Sequence, residues 1–215
     1  MTVTTPNTET ALRGLHASAP APLPFAPDVH ARAFLLQRKH GNVLIYGAPG
    51  VRADSFAHPI ARAYLGHRHE AGLSDDLPGV PLFVHEADGA ATARKRRVRA
   101  TFSHRHTLDD DLEVIPIPGH TPGSTAYLWD SGEHRLLFTA DSVYLRDGEW
   151  IGALLESSDR SAYLQSLELM RDLDFDVLVP WAANAGETPY TVTTREDARR
   201  RLDAIIARIR DGGDR

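Results

Sequence analysis

The side chains most capable of chemistry in this chain are histidines that follow apolar runs. His67 and His69 are separated by one residue and come directly after a short apolar segment. His120 follows the apolar run Leu112–Ile117, which a Pro-Gly pair ends. Loops at strand ends are where metal ligands usually lie, and two histidines one residue apart can turn toward one ion as the loop curls. These positions are therefore candidate metal ligands.

A carboxylate follows the next pair of predicted strands. Thr125–Trp129 and Arg135–Thr139 are rich in β-forming residues and are joined by a tight polar loop, which predicts a hairpin. Asp141 lies just past the second strand, so this carboxylate and the His120 imidazole could face one pocket. Taken alone, a histidine after Pro-Gly is more often a surface turn residue, and an aspartate after a strand is more often a helix cap.

Composition limits which metal ligands and which classes of protein are open to this chain. It has 215 residues, 42% of them hydrophobic, and no apolar run long enough for a membrane span, which predicts a soluble globular protein. It contains no cysteine, so a metal would depend on carboxylates and on the eleven histidines. The formal net charge of -5 argues against a general nucleic-acid-binding protein. With no signal-peptide pattern, we expect a cytoplasmic protein.

Two motifs together resemble those of a known family. PGHTPGS, at 118–124, followed by TADSV, at 139–143, resembles the metallo-β-lactamase-fold superfamily, and in particular its glyoxalase II-like metallohydrolases. In that superfamily the first motif supplies a metal-binding histidine and the second supplies an aspartate. The resemblance spans about residues 31–210 and implies an α/β fold, a four-layer αβ/βα sandwich. It also implies that one metal ion is bound by His67, His69, His120 and Asp141, and leaves the similar pair His104 and His106 outside the site.

The resemblance also shows what this chain lacks. The superfamily motif HxHxDH has its aspartate and last histidine at the positions of Ala71 and Gly72. Near the C-terminus, Trp181 and Ala182 replace a Gly-His pair. In relatives the missing residues bind a second metal, so we expect a mononuclear site. Glu70, next to the lost aspartate, is the candidate to take over its part in proton transfer.

These features imply a hydrolase and leave two other functions open. The implied activity is metal-dependent hydrolysis of an unidentified small ester, thioester or lactone, with one divalent metal, zinc being favoured over iron. A degenerate site kept as a non-catalytic binding module, with or without a metal, is one alternative. The other is a mononuclear non-haem iron dioxygenase resembling persulfide dioxygenases. We expect a small-molecule substrate or ligand, no nucleic acid and no membrane, and a homodimer is compatible with the sequence.

The candidate residues must be positioned by a single domain. Residues 1–27, rich in Thr, Ala and Pro, predict a flexible tail or a lead-in strand, and residues 28–212 predict one domain. Ala31–Leu36 and Val43–Tyr46 predict the opening hairpin. Apolar periodicity and capping residues predict helices at 55–62, from Ala87, at 158–173 after Ser157 or Ser158, and after Thr194.

Overall fold

The computed structural model describes residues 10–213 of the chain. Residues 1–9 of the expected tail lie outside this range, whereas its residues 15–17 and 21–23 form strands. In chain order the strands are β1 (Leu15–Ala17), β2 (Ala21–Leu23), β3 (Ala26–Ala31), β4 (Phe34–Leu36), β5 (Val43–Ile45), β6 (Arg62–Tyr64), β7 (Leu82–His85), β8 (Val98–Phe102), β9 (His106–Leu108), β10 (Leu112–Pro116), β11 (Thr125–Asp130), β12 (Arg135–Phe138), β13 (Val143–Arg146), β14 (Glu149–Gly152), β15 (Val177–Val179), β16 (Ala182–Asn184) and β17 (Thr191–Val192). The helices are α1 (Glu86–Ala93), α2 (Arg160–Asp172) and α3 (Arg195–Arg210), and Arg68–Gly72 forms a short 3₁₀ turn.

Two six-stranded sheets and one five-stranded sheet form the body of the described chain. The first sheet has the order β1-β4-β5-β6-β7-β8, and the second has the order β17-β15-β12-β11-β10-β9. The third, β14-β13-β16-β3-β2, takes in the strands of residues 21–31. The predicted hairpins are present as β4 with β5 and β11 with β12, both antiparallel.

The central strands of the second sheet are buried on both faces, and their alternating side chains enter two different cores. Leu136 and Phe138 of β12 pack with the first sheet, while Leu137 between them packs on the helix side. Val177 and Val179 of β15 follow the same alternation around Leu178. A strand covered on both faces is apolar throughout, which explains the continuous hydrophobic runs in the sequence.

Two amphipathic helices cover the outer face of the second sheet. Leu202, Ile205 and Ile209 of α3 are buried in the same core as Tyr163 and Leu167 of α2. The Thr194 hydroxyl accepts the backbone N–H of residue 197 and caps α3 as the sequence predicted. For α2 the cap is Asp159 rather than Ser157 or Ser158, because its carboxylate accepts the Ala162 N–H.

The helix predicted at residues 55–62 was wrong. That segment forms turns and bends, and its last residue begins β6. Pro59 lacks an N–H and disfavours helical geometry in the residue before it, so the segment cannot complete the turns that its apolar spacing suggested. Within residues 10–213, no helix is both long and apolar enough to cross a membrane.

Candidate metal centre

The candidate ligands lie in three loops at strand ends. His67 and His69 follow β6, with His69 inside the 3₁₀ turn, while His120 follows β10 and Asp141 follows β12. The backbone N–H of Thr125, which begins β11, donates to the Gly66 carbonyl at 2.8 Å, so the first two loops are joined next to the ligands. The fold thus brings four residues from distant parts of the sequence to one edge of the paired sheets.

Three imidazoles converge on one point. The coordinating nitrogens offered by His67, His69 and His120 all lie within 4.8 Å of one another. His69 Nδ1 and His120 Nε2 are 3.2 Å apart. Asp141 Oδ2 lies 3.6 Å from His120 Nε2 and 3.9 Å from His67 Nε2. The three histidines therefore form one cluster, and Asp141 lies beside two of them.

This arrangement fits a divalent metal ion. Nitrogen and oxygen ligands lie about 2.0–2.2 Å from zinc, so two ligands of a tetrahedral ion are roughly 3.3–3.6 Å apart. The separation of His69 from His120 and that of His120 from Asp141 are close to this range. Moreover, Nε2 of His67 is fully buried and has no hydrogen-bond partner among the described residues. Buried polar atoms are normally partnered, so an unpartnered nitrogen aimed into the cluster is an observation that points to a ligand there.

Burial also sets the protonation of two of these imidazoles. Burial, followed by the charge of His120, lowers the pKa of His67 to about 3. Burial together with the neighbouring histidines lowers the pKa of His69 to about 4. Both rings are therefore neutral at pH 7, which is the form that binds a metal.

Glu70 is completely buried and does not face the cluster. Its Oε1 accepts the backbone N–H groups of Gly66 at 2.8 Å and His67 at 3.0 Å, and its Oε2 accepts that of Gly47 at 2.7 Å. His67 Nδ1 also lies 2.9 Å from Oε1. Because the backbone groups already donate to that oxygen, an N–H at Nδ1 completes the set and leaves the lone pair at Nε2 directed toward the cluster.

The charge state of Glu70 is subject to two opposing effects. Burial raises the pKa of Glu70 to about 8, even though the three backbone N–H donors act to lower it. Both carboxyl oxygens accept backbone N–H groups, and this set of donors stabilises the ionised form. The carboxylate thus serves as a fixed partner of His67 and is not open to the space between the ligands.

A second buried carboxylate ties the two histidine loops together. Asp88 of α1 is 1% exposed, and its Oδ2 accepts the backbone N–H of Arg68, between the first two histidines, at 3.0 Å. The same oxygen accepts the hydroxyl of Thr121, next to His120, at 2.6 Å. The relative position of the loops is therefore set by one side chain of α1.

The loop of His120 is held from its other side by α2 and by the segment after β14. His120 Nδ1 lies 2.8 Å from the carbonyl oxygen of Ala153, and the Ser158 hydroxyl donates to the His120 carbonyl at 3.0 Å. Gly119 has φ +142 and packs directly against the backbone of Tyr163. Only glycine suits this approach, because any Cβ there would overlap the helix.

The positions of the missing ligands carry apolar groups. Ala71 is 3% exposed and Ala182 is 2% exposed, and Gly72 has no side chain. The Trp181 ring stacks edge-on against His67, with ring centroids 5.2 Å apart, and its indole N–H donates to the Gly47 carbonyl at 2.7 Å. The side of the cluster next to His67 is therefore closed by an aromatic ring.

The other histidines considered from the sequence lie elsewhere. His106 is in the edge strand β9, and its Nδ1 is 2.8 Å from the carbonyl of His104. His134 pairs with Asp176 at the turn between β11 and β12. His85 caps α1 by accepting the Ala87 N–H at its Nδ1.

Sequence reasoning missed two residues of the site. The sequence suggested Glu70 for proton transfer or, like Glu187, as a possible ligand of a second metal, although a carboxylate adjacent to a candidate histidine can also fold back on the preceding turn. Asp88 was not considered at all, because nothing in its spacing connects it to either histidine loop. Its position depends on how α1 packs, which a local sequence pattern does not show.

Comparison with known proteins adds a family and a set of related structures. The sequence profile described as the Metallo-beta-lactamase superfamily matches residues 33–182. No curated protein matches the chain.

Several solved structures have a similar fold. A metallo-beta-lactamase family protein of Thermus thermophilus is 17% identical with a TM-score of 0.66, covering 94% of this chain and 81% of its own. An archaeal superfamily protein of Sulfolobus tokodaii is 15% identical with a TM-score of 0.62, covering 90% and 86%. The FIM-1 metallo-beta-lactamase of Pseudomonas aeruginosa, in a mono-zinc form, is 11% identical with a TM-score of 0.67, covering 93% of each chain. At these identities the likeness establishes the fold alone, which is the αβ/βα sandwich that the sequence predicted.

Proposed function

Because the chain belongs to the metallo-beta-lactamase superfamily, we propose that it is a metal-dependent hydrolase of a small ester, thioester or lactone. The superfamily consists generally of metal-dependent hydrolases, and this membership is the premise of the proposal. The observation that carries it is the convergence of the His67, His69 and His120 imidazoles, with Asp141 beside them. Within this cluster the buried Nε2 of His67 has no hydrogen-bond partner among the described residues. A site built in this way gives the protein a means to activate a carbonyl compound.

We propose that the ion is zinc and that it is held by His67, His69, His120 and Asp141. Three imidazoles and one carboxylate suit zinc, whereas iron enzymes of the dioxygenase type use two histidines and a carboxylate. When bound, zinc supplies Lewis-acid polarisation of a carbonyl and makes hydroxide available near neutral pH. The side chain of Asp141 is 22% exposed, so the centre is accessible to a substrate from that side.

A mononuclear site is supported by what surrounds the cluster. Ala71, Gly72 and Ala182 offer no donor atoms, and Trp181 fills the space beside His67. Two cations sharing only Asp141 would repel each other with little compensating charge. One ion is therefore the arrangement that this set of residues supports.

We assign Glu70 a positioning role rather than proton transfer. Its two oxygens are occupied by backbone N–H groups and by His67, and the residue is wholly buried. A carboxylate that receives the second N–H of a metal-binding imidazole fixes its tautomer and orientation and raises its basicity. Within this proposal, Glu70 acts on the reaction through His67.

A hydrolysis assay tests the proposal. The zinc-loaded protein is incubated with a p-nitrophenyl ester, an acyl thioester and a γ-lactone, with and without a chelator. We expect hydrolysis of at least one substrate, lost with the chelator and reduced at least roughly 100-fold in His120→Ala, since that variant lacks a ligand. His104→Ala, which changes an exposed histidine away from the cluster, should retain the activity.

The other two functions are distinguishable outcomes of the same preparation. Absence of hydrolysis with every substrate in zinc-loaded protein would contradict the hydrolase and support a binding module. One iron per chain as purified, with oxygen consumption on addition of a persulfide, would support the dioxygenase instead.

A further inference from the structure

An apolar cleft of about 350 Å³ adjoins the candidate metal centre. Its lining includes the tip of the β2–β3 hairpin, where Phe25 lies, and Leu154 and Leu155 after β14. Its volume falls in the range of pockets that take small organic ligands. The hydrophobic lining predicts a ligand that is itself largely apolar.

The cleft is continuous with the proposed site through three residues. Asp141 lines it directly. Ala153 also lines it and is the residue whose carbonyl contacts His120 Nδ1 at 2.8 Å. Ala182, where the superfamily resemblance places a metal-binding histidine, contributes only a methyl group to the wall. The absence of a larger side chain at this position leaves the cleft open toward the metal centre.

Two large hydrophobic side chains at the cleft are exposed. Phe25 is 75% exposed and Leu155 is 43% exposed, and both belong to the small set of exposed large hydrophobic residues in the described chain. Exposed apolar side chains that line one cleft are typical of a ligand site. A ligand chain bound in the cleft and in contact with them would reduce their exposure to water.

The charged side chains that line the cleft do not favour a charged ligand. Arg146 lies on the same face of β13 as Tyr144, and its Nε is 3.8 Å from the carboxylate of Asp147. The Arg146 side chain is 53% exposed, so its charge is solvated rather than enclosed by the cleft. Asp141 is accounted for as a proposed metal ligand.

We propose that this cleft binds the uncharged, apolar acyl or aryl portion of the substrate, with the scissile carbonyl beside Asp141. This inference rests on the proposed hydrolase function and names its substrate class: esters, thioesters or lactones that carry a chain of several carbons. Phe25 and Leu155 are then the residues that determine preference for chain length.

The kinetic test uses p-nitrophenyl acetate, butyrate and octanoate with the zinc-loaded protein, below the concentration at which the longest ester forms micelles. Burial of each methylene favours binding by roughly fourfold when it is complete, so a half-open cleft should raise kcat/KM by roughly 10- to 100-fold from acetate to octanoate. Phe25→Ala and Leu155→Ala should lower kcat/KM for octanoate more than for acetate, and so reduce the ratio between the two substrates. Val192→Ala is the matched control, because Val192 is 58% exposed and lies in β17 of another sheet.

A binding measurement separates the cleft from the hydrolase proposal. Calorimetric titration of zinc-loaded protein with octanoate should give tighter binding than acetate, by at least tenfold, and Phe25→Ala should remove the difference. If octanoate binds in this way and no ester is hydrolysed, the hydrolase proposal fails and the cleft proposal stands. If esters are hydrolysed with equal kcat/KM for acetate and octanoate, or octanoate binds no better than acetate, the cleft proposal is overturned.

Discussion

At the scale of single residues, Glu70 is a buried carboxylate whose hydrogen bonds offset its desolvation and orient a neighbouring histidine. A carboxylate with no exposed surface is unfavourable unless donors surround it, and here three backbone N–H groups and one imidazole do so. The contact with His67 fixes which ring nitrogen carries the proton. The nitrogen proposed to bind the metal is thereby selected by a residue that does not face the cluster.

Replacing Glu70 with glutamine tests this role. In Glu70→Gln the amide N–H₂ would face at least one backbone N–H that now meets a carboxylate oxygen, and the remaining oxygen is uncharged, so the hydrogen bond that orients His67 is weakened. We expect zinc affinity to fall by roughly 10- to 100-fold, as for other carboxylates that orient metal-binding histidines. The measurement is competition for zinc against a chromophoric chelator.

Glu187→Gln provides the control for that experiment. Glu187 also accepts backbone N–H groups, from Gly148 at 2.8 Å and from Asn184 at 3.2 Å, but it lies away from the cluster. Its variant should bind zinc as the wild type does. Unchanged affinity in Glu70→Gln would show that His67 is oriented without the carboxylate.

The residue scale also shows where sequence patterns were sufficient. The spacing of His67 and His69, and the PGHTPGS motif around His120, indicated side chains that the structure brings together with Asp141. The direction of Glu70 was not predictable in the same way. Whether that side chain faces the ligands or the backbone depends on the 3₁₀ turn over Arg68–Gly72, which no residue of the motif specifies.

At the scale of elements, the ligand loops are positioned by the helices behind them. Gly119 brings its loop against the backbone of Tyr163 in α2, and Asp88 in α1 joins that loop to the segment of His67. The helices therefore determine the distance between ligands that lie far apart in the sequence.

Gly119→Ala tests this packing. A Cβ at φ +142 is strained and would overlap the α2 backbone, so we expect the free energy of unfolding to fall by on the order of 3 kcal/mol or more. Urea denaturation measures the change. Gly79→Ala is the control, since Gly79 also has positive φ, +81, but its Cβ would meet no atom within 4 Å. A loss in Gly119→Ala no larger than in the control would contradict the proposed close contact.

Elements were predicted best where a local signal was strong. The hairpins β4–β5 and β11–β12 and the cap at Thr194 follow from alternating apolar residues, polar turns and a hydroxyl three residues before an acid. The helix expected from apolar spacing at residues 55–62 is absent, because Pro59 disfavours helical structure there. The pairing of β13 with β16 joins segments that are distant in the sequence, which local patterns do not show.

At the scale of the whole molecule, two hydrophobic cores on either face of one sheet leave the edge of the fold free for loops. The cores fix strand ends in space, and the loops that follow them carry the ligands. The overall architecture followed from the family resemblance, since 150 residues, 33 to 182, match the superfamily. The resemblance alone did not specify the number of metal ions or the substrate. Both depend on a few positions, such as Ala71 and Ala182.

We propose that one metal ion is bound by the cluster of His67, His69, His120 and Asp141. Calorimetric titration of metal-free protein with Zn²⁺ tests it most directly, with His104→Ala as the control and His120→Ala as the variant that removes a ligand. We predict one tight equivalent per chain for the wild type and for His104→Ala, and none for His120→Ala. Two tight equivalents in the wild type, or one retained in His120→Ala, would contradict the claim.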